Sequence, residues 1–194
     1  MTSAGGLEGN IAFPQPSGRP KKFTDPMEIV KTKSEATGSA DWLAIAVATA
    51  AGAGFVPKAP GTAGSVVGVA IYLALDRAGR GAYFPHVIIF FFIVGIWASS
   101  RVEHMWGHDA QRIVIDEVVG QMITFGIAAG RYQLSAFYIA LGFGLFRLFD
   151  IVKPFPIRHL ERLKGGAGVM ADDVGAGLYA LAILTLIRYM FIKS

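Results

Sequence analysis

FPHVIIFFFIVGIWASS at residues 84–100 and VGAGLYALAILTLIRYMFI at residues 174–192 decide the fold. Each comes close to the ~20 apolar residues a helix needs to cross a ~30 Å hydrocarbon core. Four shorter apolar segments, roughly 42–56, 64–75, 118–129 and 134–149, are each bounded by Gly, Pro or charge. Backbone polar groups in lipid must be satisfied internally, so all of these segments are predicted to be helices, the short ones tilted, re-entrant or covered by neighbours. The expectation is an all-α fold, a compact membrane bundle with about four to six membrane-embedded helices.

Composition points the same way. Of 194 residues, 53% are hydrophobic and only 16% charged, and the mean hydropathy is +0.48, too apolar for an ordinary soluble domain. The net charge of +4 comes from basic residues scattered over short connections. That scatter argues against nucleic acid as a partner and fits a membrane surface or an anionic substrate. With no cysteine, disulfides and thiolate metal sites are excluded, leaving oxygen ligands and histidine. Residues 1–40 hold four of the nine prolines, mixed charges and few apolar residues. They are expected to form a flexible polar tail without the pattern of a cleavable signal, leaving 41–194 as the membrane-embedded domain. Four basic residues in the 151–168 loop (Lys153, Arg158, Arg162, Lys164) place that loop on the cytoplasmic side.

The acidic residues are unevenly placed. Four of the fourteen lie in the tail, and five of the remaining ten fall in three spots against apolar sequence: Asp116-Glu117, Asp150 and Asp172-Asp173. An acid at a helix N-terminus complements the macrodipole, which accounts for a single such residue. Five of them beside hydrocarbon need a cation to offset their cost. Magnesium, which takes oxygen ligands from one or two carboxylates, waters and a substrate phosphate, fits that need. The expected ligands are Asp116, Glu117, Asp150 and Asp173.

Basic and small residues accompany the acids. Arg147, Asp150 and Lys153 are spaced by three and share a helix face if the helix reaches Lys153. Arg147 either neutralises Asp150 or joins Lys153 in clamping an anion. Pro60-Gly61-Thr62-Ala63-Gly64-Ser65 enters an apolar segment through small residues and hydroxyls. Amides at such a helix start bind phosphate, with Thr62 or Ser65 as further donors, although Ser65 reads equally well as a plain N-cap. Gly165-Gly166-Ala167-Gly168 is a second flexible stretch leading to Asp172-Asp173. His104 and His108 are four apart but lack the metalloprotease order. His108, with Asp109, is read as a supporting group near substrate, and His104 as interfacial.

Taken together, PGTAGS at 60–65, His108-Asp109 followed by IVIDEVVGQMIT at 113–124, LFRLFDIVKPFPI at 145–157 and GGAGVMADDVGAG at 165–177 resemble the phosphatidylglycerophosphatase A family. The likeness covers roughly 41–192, with the motifs in order. It implies a magnesium-dependent phosphatase of the bacterial inner membrane that converts phosphatidylglycerophosphate to phosphatidylglycerol; the basic 151–168 loop puts the acidic spots on the cytoplasmic face. The implied active-site positions are Asp116, Glu117, Asp150, Asp172 and Asp173, with Lys153 and the Thr62, Gly64, Ser65 turn nearby. The attacking group is either a metal-activated water or one of the aspartates. The competing class is a transporter or scaffold whose acids form ion pairs or a cation path. The DGxxAR signature of CDP-alcohol phosphotransferases is absent.

Overall fold

A computed structural model describes residues 38–106, 111–126, 133–160 and 165–192. Among the described residues every regular element is helical. These are α1 (Ser39–Ala48), α2 (Pro60–Arg77), α3 (Phe84–Trp106), α4 (Ile115–Thr124), α5 (Ala136–Val152), the short α6 (Ile157–Leu160) and α7 (Gly166–Ile192), with 3₁₀ turns at Ala53–Phe55 and Gly81–Tyr83. The expected tail lies outside the described residues as far as residue 37.

Local sequence explains most helix ends. Pro60 occupies the first turn of α2, where its missing N–H costs nothing and its fixed φ suits the helix. The same helix stops at a Schellman-type turn, in which the Arg80 N–H donates to the Leu75 carbonyl at 2.8 Å. Gly79 adopts φ +66 there, a left-handed conformation that glycine accepts without strain. The first apolar segment is shorter than its sequence suggests. It leaves the helix at Ala48, and Ala50, Ala51 and Gly52 all take positive φ.

The other end of the chain departs from expectation in the opposite sense. α7 begins at Gly166, eight residues before the apolar stretch at 174. The acidic pair Asp172-Asp173 therefore sits inside the helix, not ahead of it, and the glycine stretch forms its first turn. The reason is packing. Gly166 lies against the Ile96 carbonyl and Ser100 of α3, and its N–H donates to Ser100 Oγ at 3.0 Å.

Only α3 and α7 are long and apolar enough, among the described residues, to cross a membrane by themselves. In a soluble protein such helices would be mostly buried, yet only 17% and 22% of their apolar windows are buried. Ile89, Phe90, Ile93 and Trp97 of α3 and Leu178, Leu186, Met190 and Phe191 of α7 are all exposed. The surface these helices present is therefore apolar, as a lipid-facing surface is.

The centre of the bundle is α4. Ile115, Val118, Val119, Gly120, Gln121, Met122 and Thr124 of its ten residues are buried, and α2, α3, α5 and α7 all pack on it. Glycines set how close the neighbours come. A Cβ on Gly177 of α7 would strike the Gly120 carbonyl, and one on Gly120 would lie 2.6 Å from the Asp173 carbonyl and 2.5 Å from the Phe146 ring. Backbone cannot yield as a side-chain tip can. Gly177→Ala is accordingly expected to destabilise the protein by about 1–3 kcal/mol, the usual cost of overpacking. In a melting experiment that is a Tm loss of about 2–4 °C per kcal/mol, whereas Gly144→Ala, with open space around it in a helix interior, should not lower Tm and should raise it slightly.

Candidate active site

Four helix segments converge on one cavity of about 630 Å³. The start of α2 supplies Pro60, Gly61 and Thr62; the start of α4 supplies Asp116 and Glu117. The last turns of α5 bring Arg147 and Asp150, with Lys153 just beyond, and the first turns of α7 bring Asp172 and Asp173. The three acidic spots, separated by up to 57 residues of sequence (173 minus 116), thus share one wall.

Asp116, Glu117 and Asp173 can each turn one carboxyl oxygen to a common point, with those atoms within 4.8 Å of one another. Asp116 Oδ1 and Glu117 Oε2 are buried and have no hydrogen-bond partner. Asp173 is only 3% exposed. Burial holds the Asp116 carboxyl well above the usual carboxylate range, and the neighbouring charges of Glu117 and Asp173 add to the shift. Burial also raises Glu117, opposed by its hydrogen bond with Asp116 and helped by the charge of Asp150. Unpaired buried oxygens and mutual repulsion mark a place that a cation would stabilise. An all-oxygen donor set of this kind suits a hard divalent ion.

The other two acids are already paired. Arg147 Nη1 lies 2.8 Å from Asp150 Oδ2, and Lys153 Nζ lies 2.7 Å from Asp172 Oδ2. Asp150, expected as a fourth ligand, sits beside the trio as a charge acting on Glu117, with Arg147 as its partner. The helix ends at Val152, so Lys153 does not continue the Arg147–Asp150 face. It caps α5 with φ 46, and this left-handed turn points it across to Asp172 on α7. Such a conformation costs a non-glycine residue of order 1 kcal/mol or more and persists where the surroundings enforce it.

The glycine turn is divided. Thr62 lines the cavity, and so does Gly61, whose absent side chain leaves room for Glu117 Oε1 and, at 3.2 Å from a built Cβ, Arg147 Nη1. Gly64 instead packs on the Val114 carbonyl. Ser65 is fully buried and donates its hydroxyl to the Gly61 carbonyl at 2.9 Å, so it is neither an N-cap nor part of the cavity wall. It touches the site only through Arg147 Nη1, at 3.5 Å. His108 and Asp109 lie outside the described residues. Gly168 does line the cavity, held in the first turn of α7 and not in a loop.

Lys58, Gln111 and Ile113 also line the cavity and were not singled out from sequence. Lys58 has left-handed backbone, φ 69, between Pro57 and Pro60. Those prolines restrict themselves and their predecessors Val56 and Ala59, so the sequence does not single out Lys58 itself.

A carboxylate trio, buried at Asp173 and half-buried at Asp116 and Glu117, with adjoining cations and set in helices that present apolar residues outward, is the kind of site a membrane-associated phosphohydrolase uses. Comparison with known proteins makes the assignment specific. The family model for phosphatidylglycerophosphatase A matches residues 46–188, and the chain belongs to that family. A Bacteroides thetaiotaomicron protein named putative phosphatidylinositol-3-phosphatase is 39% identical over 77% of this chain and 96% of its own. Phosphatidylglycerophosphatase A of Haemophilus influenzae is 37% identical over 71% of this chain and 84% of its own. The Escherichia coli protein of the same name is 32% identical over 81% and 89%. No solved structure matches the chain. The protein is a lipid phosphatase.

Removing one charge from the trio relieves repulsion that the fold otherwise carries. In EDTA, Asp116→Asn is expected to raise Tm, by about 2–4 °C for each kcal/mol of repulsion relieved. A lower Tm in EDTA would mean that Asp116 holds the fold together through contacts and does not strain it.

Proposed function

We propose that this protein is a magnesium-dependent phosphatase that hydrolyses phosphatidylglycerophosphate to phosphatidylglycerol and inorganic phosphate in phospholipid biosynthesis. The observation that carries the reading is the trio Asp116, Glu117 and Asp173, with two buried oxygens lacking partners, in a cavity that also holds Arg147, Lys153 and Lys58. Membership of the family supports the substrate.

Asp116, Glu117 and Asp173 would hold the ion, with Asp150 beside them on Arg147. When bound, magnesium neutralises phosphate oxygens and lowers the pKa of a coordinated water. The rest falls to the chain. Arg147 and Lys153 present cations to the equatorial phosphate oxygens and exchange their carboxylate partners for the substrate. Thr62 and the free amides at the start of α2 face the same cavity, where the positive end of the helix dipole favours an anion. The negative wall excludes an anion that arrives without a cation, so substrate and magnesium bind cooperatively.

The same reading places the protein in a bacterial inner membrane with the cavity at its cytoplasmic interface. The basic residues of the 151–168 segment support that side. α2 and α5, with 18 and 17 residues, reach ~27 and ~26 Å. With α3 and α7 they would make four membrane-embedded helices, and the ten-residue helices α1 and α4 are too short to span.

The test is phosphate release by purified protein from phosphatidylglycerophosphate and, because one relative carries a phosphatidylinositol-3-phosphatase name, from phosphatidylinositol 3-phosphate. Activity on the first lipid should need magnesium and vanish in EDTA. Loss of a group that merely supports a metal ligand costs ~10–100-fold, so Asp116→Asn and Asp173→Asn should each lower kcat by at least about 100-fold. Magnesium should raise Tm of the parent and leave Asp116→Asn nearly unmoved. Full turnover by both variants would overturn the site; no release by the parent with magnesium would overturn the function.

A further inference from the structure

A second concavity of about 690 Å³ runs along the seam between α2 and α5. Its wall is apolar for most of its length, with Val66, Val69 and Leu73 from α2 and Ala136, Ala140 and Phe143 from α5. Asp76, Arg77 and Gln133 close its far end. The volume is within the ~300–1,000 Å³ of small-molecule sites.

The seam begins one helical turn from the active-site cavity, although the two share no lining residue. On α2 the last cavity residue is Thr62 and the first seam residue is Val66; on α5 they are Arg147 and Phe143. Both steps are four residues, so on each helix the two stack on one face. The α5 face reads Ala136, Ala140, Phe143, Arg147, Asp150, apolar over its first half and charged over its second. The helices run antiparallel, since the start of α2 and the end of α5 meet at the cavity. They are tied at that end by Arg147 and Ser65, 3.5 Å apart, and the groove opens beyond the tie.

We propose that this groove holds an acyl chain of the lipid whose phosphate lies on the carboxylate trio. The proposal rests on the lipid-phosphatase reading and adds to it where the hydrocarbon goes. The occupant follows from the lining nearest the cavity, which passes from charged to apolar in the order a phosphorylated lipid changes from headgroup to chain, with Asp76, Arg77 and Gln133 marking where the apolar wall ends. Length agrees. Eleven residues from Thr62 to Leu73 rise ~17 Å, close to the ~15 Å depth of one leaflet of a ~30 Å hydrocarbon core. Ala136 and Ala140 leave the space a methylene chain fills, and Val66 is 54% exposed, so the groove is open sideways to a lipid moving in the bilayer.

The test compares dipalmitoyl and dihexanoyl forms of the same phosphomonoester lipid, hydrolysed by full-length protein in mixed micelles. Ala140→Trp and Val69→Trp fill the groove. Each should raise KM for the long-chain lipid at least about ten-fold more than for the short-chain lipid, the short chain reaching little of the seam. Ile89→Trp, on an exposed position of α3, should leave the ratio of the two KM values as in the parent. A change shared equally by both chain lengths, or none, overturns the proposal. A second measurement uses the unaltered protein and so does not depend on how the variants fold. A phosphomonoester lipid with a photoreactive acyl tail should label peptides 66–73 and 136–143. Equal labelling by a photoreactive phosphatidylcholine would assign the groove to bulk lipid of either leaflet, and labelling of a second protein copy would assign it to a dimer contact; either overturns the proposal. Failure of the parent to hydrolyse both lipids would overturn the phosphatase reading, with the labelling still deciding the groove.

Discussion

The contact of α4 with α7 at Gly120 and Gly177 is the constraint on which the site depends. With no side chain at either position, the Gly120 carbonyl meets Gly177 directly and the Asp173 carbonyl packs over Gly120. That approach brings Asp116 and Glu117, one turn before Gly120, level with Asp173, one turn before Gly177. Helices with ordinary side chains at the contact sit ~8–10 Å from axis to axis; the two glycines let this pair pass backbone against backbone. Small residues at the closest point let backbones approach, as in helix pairs within membranes. The electrostatic cost of the acids and the packing of the helices are therefore one problem, since the packing that gains contact area also forces the charges together.

The outer surface is more apolar than that of a soluble enzyme of this size, and a few polar groups are buried within an otherwise apolar core. Phe90, Ile93, Leu186 and Phe191 face outward, while Asp173, Gln121 and Ser65 lie inside. The short helix α4 makes this arrangement possible. It has too few residues to cross a bilayer, and α2, α3, α5 and α7 surround it, so its first turn carries two acids into the interior without exposing them to hydrocarbon. A substrate with a charged head and apolar chains meets a protein divided in the same way.

The sequence made the two long helices and the acidic positions legible, for separate reasons. Residues 84–100 and 174–192 are nearly unbroken apolar runs whose length alone argues for helices. Asp116, Glu117, Asp150, Asp172 and Asp173 stand out because a carboxylate amid apolar sequence is costly, and all five meet in one cavity. What sequence concealed was tertiary. A run of glycines reads as a loop, yet Gly166 begins α7 because the close passage of α3 at Ser100 rewards a small residue. Ser65 looks like a cap, but Pro60 had already started the helix five residues earlier. Lys153 shares a spacing of three with Asp150, yet a left-handed turn re-aims it to Asp172. Lys58 is visible only once backbone dihedrals and the cavity wall are known.

The pairs Arg147–Asp150 and Lys153–Asp172 carry one more implication. Arg147 and Lys153 already have carboxylates for company, so an anion reaching these two cations is accepted by exchange of partners. Exchange favours the competitor with the greater charge. A phosphomonoester, with close to two negative charges at neutral pH, displaces a carboxylate far better than a phosphodiester with one. On the proposed reading, phospholipids that carry only phosphodiesters would compete poorly for the cavity.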